Sequence, residues 1–170
     1  MQIRRTKKED LERLLEIYAS ARKWMAENGN PNQWKDYWPY EDIVIDDIET
    51  KKSYVLLDGD KIVGVSALIT GEDPCYSSLR GGSWLNDEPY VTIHRIAGDP
   101  EYHGIFEEFL KFALTMEDNV RVDTHEDNKK MQHCLIKNGF KKCGIIRLDI
   151  DEDRIAYHCT HYAYQISRQN

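Results

Sequence analysis

Leu11, Leu14, Leu15, Tyr18 and Met25 recur at helical spacing, so the pattern predicts a long helix with one buried face. Ile3 to Arg5 reads as a short strand ahead of it. Thr6 reads as the helix cap, with Glu9 completing a capping box. Asn28-Gly29-Asn30-Pro31 ends that helix, an aromatic loop follows from Gln33 to Tyr40, and Glu41 to Glu49 reads as a second helix. Ser53 to Leu57 and Lys61 to Ile69 read as a hairpin around Asp58-Gly59. Gly71 to Pro89 is a long loop, and Val91 to Ala97 a strand. A helix from about Gly104 to Met116 turns Ile105, Phe106, Phe109, Leu110 and Ala113 inward. Val120 to Asp123 reads as a strand. Asp127 or Thr124 caps a helix that buries Met131, Cys134 and Leu135 and stops at Asn138-Gly139. Phe140 to Leu148 and Arg154 to Tyr164 read as closing strands joined by an acidic turn.

The order β-α-α-β-β-β-α-β-α-β-β predicts an α/β fold of the mixed α+β kind: a mostly antiparallel twisted sheet with helices on both faces. The length of 170 residues suits a single domain spanning 1–170. Hydrophobic residues at 41% and charged residues at 31% fit a folded globular chain. A formal net charge of −7 argues against nucleic acid as a partner, because phosphate neutralisation needs an excess of Lys and Arg. No apolar run approaches a membrane span, and Met1-Gln2-Ile3-Arg4-Arg5 leads into a strand without an apolar signal region. The expectation is a cytoplasmic protein with no membrane partner. Cys75, Cys134, Cys143 and Cys159 form no C-x-x-C pair, so reduced, mostly buried thiols are expected. Cys159, His158 and His161 lie along the last expected strand without a second ligand cluster, and no metal is expected.

Two stretches carry a resemblance. The first is Ile93-His94-Arg95-Ile96-Ala97 followed by Asp99-Pro100-Glu101-Tyr102-His103-Gly104-Ile105. The second runs from Asp123-Thr124-His125-Glu126-Asp127-Asn128 through Met131 to Asn138-Gly139-Phe140. They resemble the cofactor strand, loop and helix start, and the last helix, of the GNAT superfamily of N-acetyltransferases. The N-terminal strand and helix and the hairpin fit as well.

The resemblance implies a GNAT-like sheet with a V-shaped splay between the strands at Val91 to Ala97 and Val120 to Asp123. It implies acetyl-CoA as co-substrate, with the pantetheine bonded at the strand edge by Ile96 and Gly98. The pyrophosphate would sit on the amides of His103, Gly104, Ile105 and Phe106 at a helix N-terminus. Asn128 is a candidate for the pantetheine amides, or a helix cap. The chain departs from the family turn in having one glycine, Gly104, with Phe106 where glycine or alanine is usual and His103 where a basic residue is usual. Glu107 and Glu108 suit the dipole of an empty helix and oppose an incoming pyrophosphate. Leu135 stands where many relatives carry the tyrosine that protonates the leaving thiolate, so Tyr157, Tyr102 or water would serve.

His94 is the first choice for the base that deprotonates the amine and Glu88 the second; each also reads as an ordinary hydrogen-bonded or solvated group. Trp34 and Tyr37, in the loop that lines the acceptor pocket in the family, are candidates for substrate binding, or core rings. His125, Glu126 and Asp127 diverge in direction, so capping is preferred to metal binding. By alternation Arg95 points to the face opposite His94 and Thr92 to the same face as His94, and a bulge would reverse that. The expected reaction is direct acetyl transfer to a primary amine, on a small molecule or a protein, in a chain that admits a homodimer. The alternative is a catalytically silent CoA- or small-ligand-binding module on the same fold.

Overall fold

The computed structural model describes residues 1–169. Within them the chain runs β1 (Gln2–Arg5), α1 (Leu11–Glu27), α2 (Glu41–Glu49), β2 (Ser53–Asp58), β3 (Lys61–Thr70), β4 (Val91–Gly98), α3 (Ile105–Ala113), β5 (Asn119–Thr124), α4 (Lys129–Lys137), β6 (Lys141–Arg147), β7 (Asp153–Thr160) and α5 (His161–Ser167). Short 3-10 turns sit at Lys8–Asp10 and Pro74–Ser78. The strands form one mixed sheet in the order β1-β2-β3-β4-β5-β7-β6. β1 with β2, β2 with β3, β5 with β7 and β6 with β7 pair antiparallel. β4 and β5 run parallel, paired at Val91↔Val120 and Thr92↔Arg121. This is the mixed α/β sheet that the element order predicts.

Two compact units make up the chain, Met1–Ile69 with Ile93–Phe112, and Thr70–Thr92 with Ala113–Asn170. In the first, Leu14, Ile17 and Tyr18 of α1 and Val44 and Ile48 of α2 pack with Val55, Val65 and Ala97 of the strands. Gly64 precedes Val65 and Gly98 follows Ala97 by one residue, so they face the other side. There Ile105 of α3 presses on both: a Cβ on Gly98 would run into Ile105 Cδ1, and one on Gly64 would come within 2.8 Å of its Cγ2. α3 therefore lies close against the sheet because two glycines leave it room. In the second unit, Tyr76, Tyr90, Ile146 and Ala156 form a core cluster, with Trp84 packed against it.

Three local expectations need correction. Thr6 does not cap α1. It continues the pairing with β2, its N–H donating to the Ser53 carbonyl at 3.0 Å and its hydroxyl bonding Ser53 Oγ at 2.6 Å. The free N–H of Lys7 goes instead to Asp10 Oδ2 at 2.7 Å, and Arg4 grips the same carboxylate. Neither Asp127 nor Thr124 is the N-cap of α4; Asn128 is, its Oδ1 accepting the Met131 N–H at 3.0 Å. The last strand ends at Thr160, and His161–Ser167 is a helix. The Thr160 hydroxyl accepts the Ala163 N–H, and the His161 N–H leaves the strand for the Asp118 carbonyl at 2.7 Å.

Candidate active site

β4 carries its chemistry through a break in its own alternation. Arg95 has φ of 51°, the left-handed region that a side chain with a Cβ enters at a cost of about 1–3 kcal/mol. Compensating contacts surround it. The guanidinium donates to both oxygens of Asp47 on α2, Nε to Oδ2 at 2.7 Å and Nη2 to Oδ1 at 2.8 Å. The Tyr18 hydroxyl on α1 donates to the Arg95 carbonyl at 3.0 Å, and Ser66 Oγ on β3 donates to the His94 carbonyl at 3.0 Å. His94 and Ile96 flank the bulge, both half-buried. Asp47 is a polar group buried only because it has this bidentate partner.

Downstream, Asp99 organises the turn into α3. Its N–H donates to the Val63 carbonyl, its carbonyl accepts the Tyr102 N–H, and its Oδ1 accepts the Glu101 N–H. Arg13 and Lys61 reach its Oδ2 at 2.8 and 3.2 Å. Partial burial works against ionisation here, but the Glu101 N–H, Lys61 and Arg13 outweigh it and hold the carboxyl below its usual range. Gly104 enters α3 with φ of 78° and open space where a Cβ would stand. His103 beside it is exposed, whereas Ile105 and Phe106 bury their side chains and offer the helix start only backbone N–H groups. Lys111 engages Glu107 at 3.1 Å and Glu108 at 3.0 Å, so the two first-turn acids are partly offset by a cation one turn on.

The aromatic loop divides. Trp34 is 6% exposed and meets Tyr18 edge-on with ring centroids 5.8 Å apart, so it belongs to the core and not to an open pocket wall. Apolar burial on α1 decides this against the substrate-binding expectation. Tyr37 is 43% exposed, stacks on Tyr40 at 5.2 Å and has the Lys35 ammonium 6.0 Å from its ring centroid.

The second unit holds the other candidates. Glu88 is exposed and lines an open pocket of about 630 Å³ with Glu117, Asp118, Asn119, His161 and Tyr162. Three carboxylates on one pocket favour a cationic guest. Asn128 spends its Oδ1 on the α4 cap. Leu135 is fully buried, and Tyr157 is buried with its phenol pushed up by desolvation, so it stays protonated. Arg121 lies between the rings of Trp84 and Tyr90, 4.2 and 3.8 Å from their centroids, and donates to the Asn86 carbonyl. Its strand neighbour His158 is fully buried; burial and Arg121 push its pKa down to about 4. The Leu85 N–H donates to His158 Nδ1, which fixes the proton of the neutral ring on Nε2, facing Asn119 Oδ1 at 3.0 Å. Burial pushes the Cys75 and Cys143 thiols up and carries Cys159 to about 12, which disfavours thiolate at all three. Among the described residues no group of three or more His, Cys, Asp and Glu is placed to hold a metal ion. No helix among them is long and apolar enough to cross a membrane.

The fold matches a crystal structure of a GNAT-family acetyltransferase from Streptococcus agalactiae 2603 at a TM-score of 0.84 and 31% identity, covering 94% of each chain. The chain belongs to the GNAT family of acetyltransferases. The wider GNAT fold also appears in a ribosomal-protein-alanine N-acetyltransferase from Brucella melitensis, at 13% identity and a TM-score of 0.61, covering 94% of this chain and 99% of that one. It appears again in a GNAT-like decarboxylase in complex with isobutyryl-CoA, at 15% identity and a TM-score of 0.60, covering 95% and 100%. No family sequence model matches the chain, and no curated protein is similar to it in sequence. GNAT membership makes this chain an acyltransferase by family. The residues that sequence reasoning missed are Tyr18, Asp47 and Ser66, which act on β4 from distant parts of the chain, and the hold on Asp99 by Arg13 and Lys61.

Proposed function

We propose that this GNAT chain transfers an acetyl group from acetyl-CoA to a primary amine by direct attack. The observation that carries the reading is the run from Arg95 to Phe106. A bulged strand, an Asp99-pinned turn and a left-handed Gly104 with open space above it lead into the N-terminus of α3. Backbone groups of Ile96 and Gly98 would take the pantetheine, and the amides of His103, Gly104, Ile105 and Phe106 the pyrophosphate.

The amine arrives protonated and gives its proton to a base, for which His94 is the first candidate and Glu88 the second. Its lone pair then attacks the thioester carbonyl carbon. The Ile96 N–H stabilises the oxyanion, the new C–N bond holds, and the C–S bond breaks with its electron pair leaving on sulfur while the nitrogen gives up its second proton to water, leaving the neutral amide. A thiolate is a good leaving group, with a thiol pKa of about 8.5, so water can supply its proton although Leu135 cannot. Raised thiol pKa values at Cys75, Cys143 and Cys159 disfavour a covalent acetyl-cysteine route through them. The exposed Tyr37–Tyr40 stack suits a cationic acceptor.

The test combines two measurements. CoA should raise the melting temperature of the folded chain, and acetyl-CoA should release thiol only when a suitable amine from a broad panel is present. Thiol release without amine, with one equivalent of enzyme acetylated, would defeat direct transfer. Binding with no turnover across the panel would favour a silent CoA-binding module, the reading that the buried Leu135 supports.

A further inference from the structure

A trans peptide is planar, and its N–H points opposite to its C=O. Whatever fixes the Arg95 carbonyl therefore fixes the N–H of Ile96, because the two belong to one peptide group. The Tyr18 hydroxyl donates to that carbonyl at 3.0 Å. Tyr18 is itself 2% exposed, edge-on to Trp34 and embedded in the α1 core. Its pKa is raised by burial, so the hydroxyl remains a donor across the working pH range. On the other side of the bulge, Ser66 holds the His94 carbonyl. The Asp47 carboxylate, 6% exposed, holds the Arg95 guanidinium through both oxygens. Two successive carbonyls of β4 thus each accept a hydrogen bond from a side chain, at a residue with φ of 51°. Core packing alone does not require a tyrosine hydroxyl at position 18; a phenylalanine would fill the same space.

We propose that Tyr18 is a positioning residue for acyl transfer: by holding the Arg95 carbonyl from the α1 core, its hydroxyl aims the Ile96 N–H at the thioester oxygen. This rests on the acyl-transfer reading above, which gives the Ile96 N–H that role. Tyr18 touches neither substrate nor cofactor in this role. It acts through one peptide plane, and the Asp47–Arg95 pair keeps that plane from relaxing out of the bulge.

Tyr18→Phe removes the hydroxyl and keeps the ring. The expected result is a fall in kcat of about tenfold or more, with KM for acetyl-CoA and for the amine within about twofold and CoA protection against heat retained. A purely structural hydroxyl would move melting temperature and KM together and leave kcat, and unchanged kcat overturns the proposal. A second readout does not depend on turnover: the Ile96 amide resonance in isotope-labelled protein saturated with CoA or with acetyl-CoA. Wild type should show a shift between the two complexes that Tyr18→Phe loses or reduces. If wild type turns over no amine yet shows that shift and Tyr18→Phe abolishes it, the transfer reading fails and the positioning role stands. If the Ile96 amide is the same in both wild-type complexes, or the shift survives intact in Tyr18→Phe, the positioning role fails even in an active enzyme.

Discussion

Asp47 on α2 and Arg95 in the β4 bulge meet as a bidentate ion pair, 2.7 and 2.8 Å apart, across 48 residues of sequence. A left-handed arginine in the middle of a strand persists because this pair and the Tyr18 hydroxyl over-determine it. Asp47→Ala should therefore cost about 3 kcal/mol of stability, because it leaves a mostly buried guanidinium unpaired. Asp47→Asn keeps one acceptor and should cost less. Urea unfolding of the three proteins checks this; equal midpoints for Asp47→Ala and wild type would mean that the bulge is held elsewhere.

Gly104 stands at φ of 78° with nothing within 4 Å of where its Cβ would be. Gly104→Ala should fold and lose about 1 kcal/mol from backbone strain alone. Gly104→Glu should fold equally well and lose CoA binding, by bulk and by charge against the pyrophosphate. Calorimetric titration with CoA separates these outcomes, and unchanged affinity in Gly104→Glu would place the pyrophosphate somewhere other than the start of α3.

Trp34 and Tyr37 are three residues apart and should respond oppositely. Trp34→Ala should lose about 3–5 kcal/mol, as deletions of buried aromatic rings do, with effects on both substrates. Tyr37→Ala should fold normally and raise KM for the amine more than KM for acetyl-CoA. Equal changes in both constants for Tyr37→Ala, with a large drop in melting temperature, would mark its ring as structural too.

Element existence was legible in the sequence because it rests on local periodicity and turn chemistry: the helix at Glu41–Glu49, the Asp58-Gly59 hairpin and the Asn138-Gly139 stop all stand as read. Capping was less legible, because Thr124, Asp127 and Asn128 compete within five residues and tertiary context chooses the last. The tail misled for a similar reason. Tyr162 and Tyr164 alternate like strand residues, yet the hydroxyl of Thr160 starts a helix under them. In the site, the backbone segment from Ile96 to Phe106 could be named from its resemblance. What fixes it could not: Tyr18 lies 77 residues from Arg95 and Arg13 lies 86 from Asp99. No spacing rule joins positions so far apart. Trp34 was equally open from its neighbours alone, since an aromatic loop reads the same whether its rings turn inward or out.

His158 predicts an acid limb of stability. Burial and Arg121 lower its pKa from 6.5 to about 4 in the folded chain. Above about pH 6.5 the ring is neutral in both states and contributes no pH dependence. As pH falls toward about 4, the unfolded chain binds a proton that the folded chain refuses, so stability is lost across that window, by about 3 kcal/mol in total. His158→Gln retains an acceptor for the Leu85 N–H and a donor for Asn119 but cannot protonate. Its urea midpoint should be lower than wild type at about pH 7.5 and should fall less between there and about pH 5. Parallel slopes in the two proteins would mean that His158 protonates as readily folded as unfolded.

His94 tests the mechanism most directly. It flanks the bulge, half-buried, with its carbonyl held by Ser66, so its backbone is fixed whatever its ring does. If the imidazole takes the proton of the substrate ammonium, turnover depends on its ring nitrogen as the acceptor. His94→Gln preserves hydrogen-bonding capacity and removes the base. Turnover at neutral pH should then fall by about 10²–10⁴, the usual contribution of a positioned base, and recover in part at high pH where free amine becomes abundant. CoA binding should not change, since the variant leaves the Ile96 to Phe106 segment as it was. An unchanged rate at neutral pH would remove His94 from the reaction and pass the role to Glu88, whose own variant Glu88→Gln should then show the same loss and the same recovery.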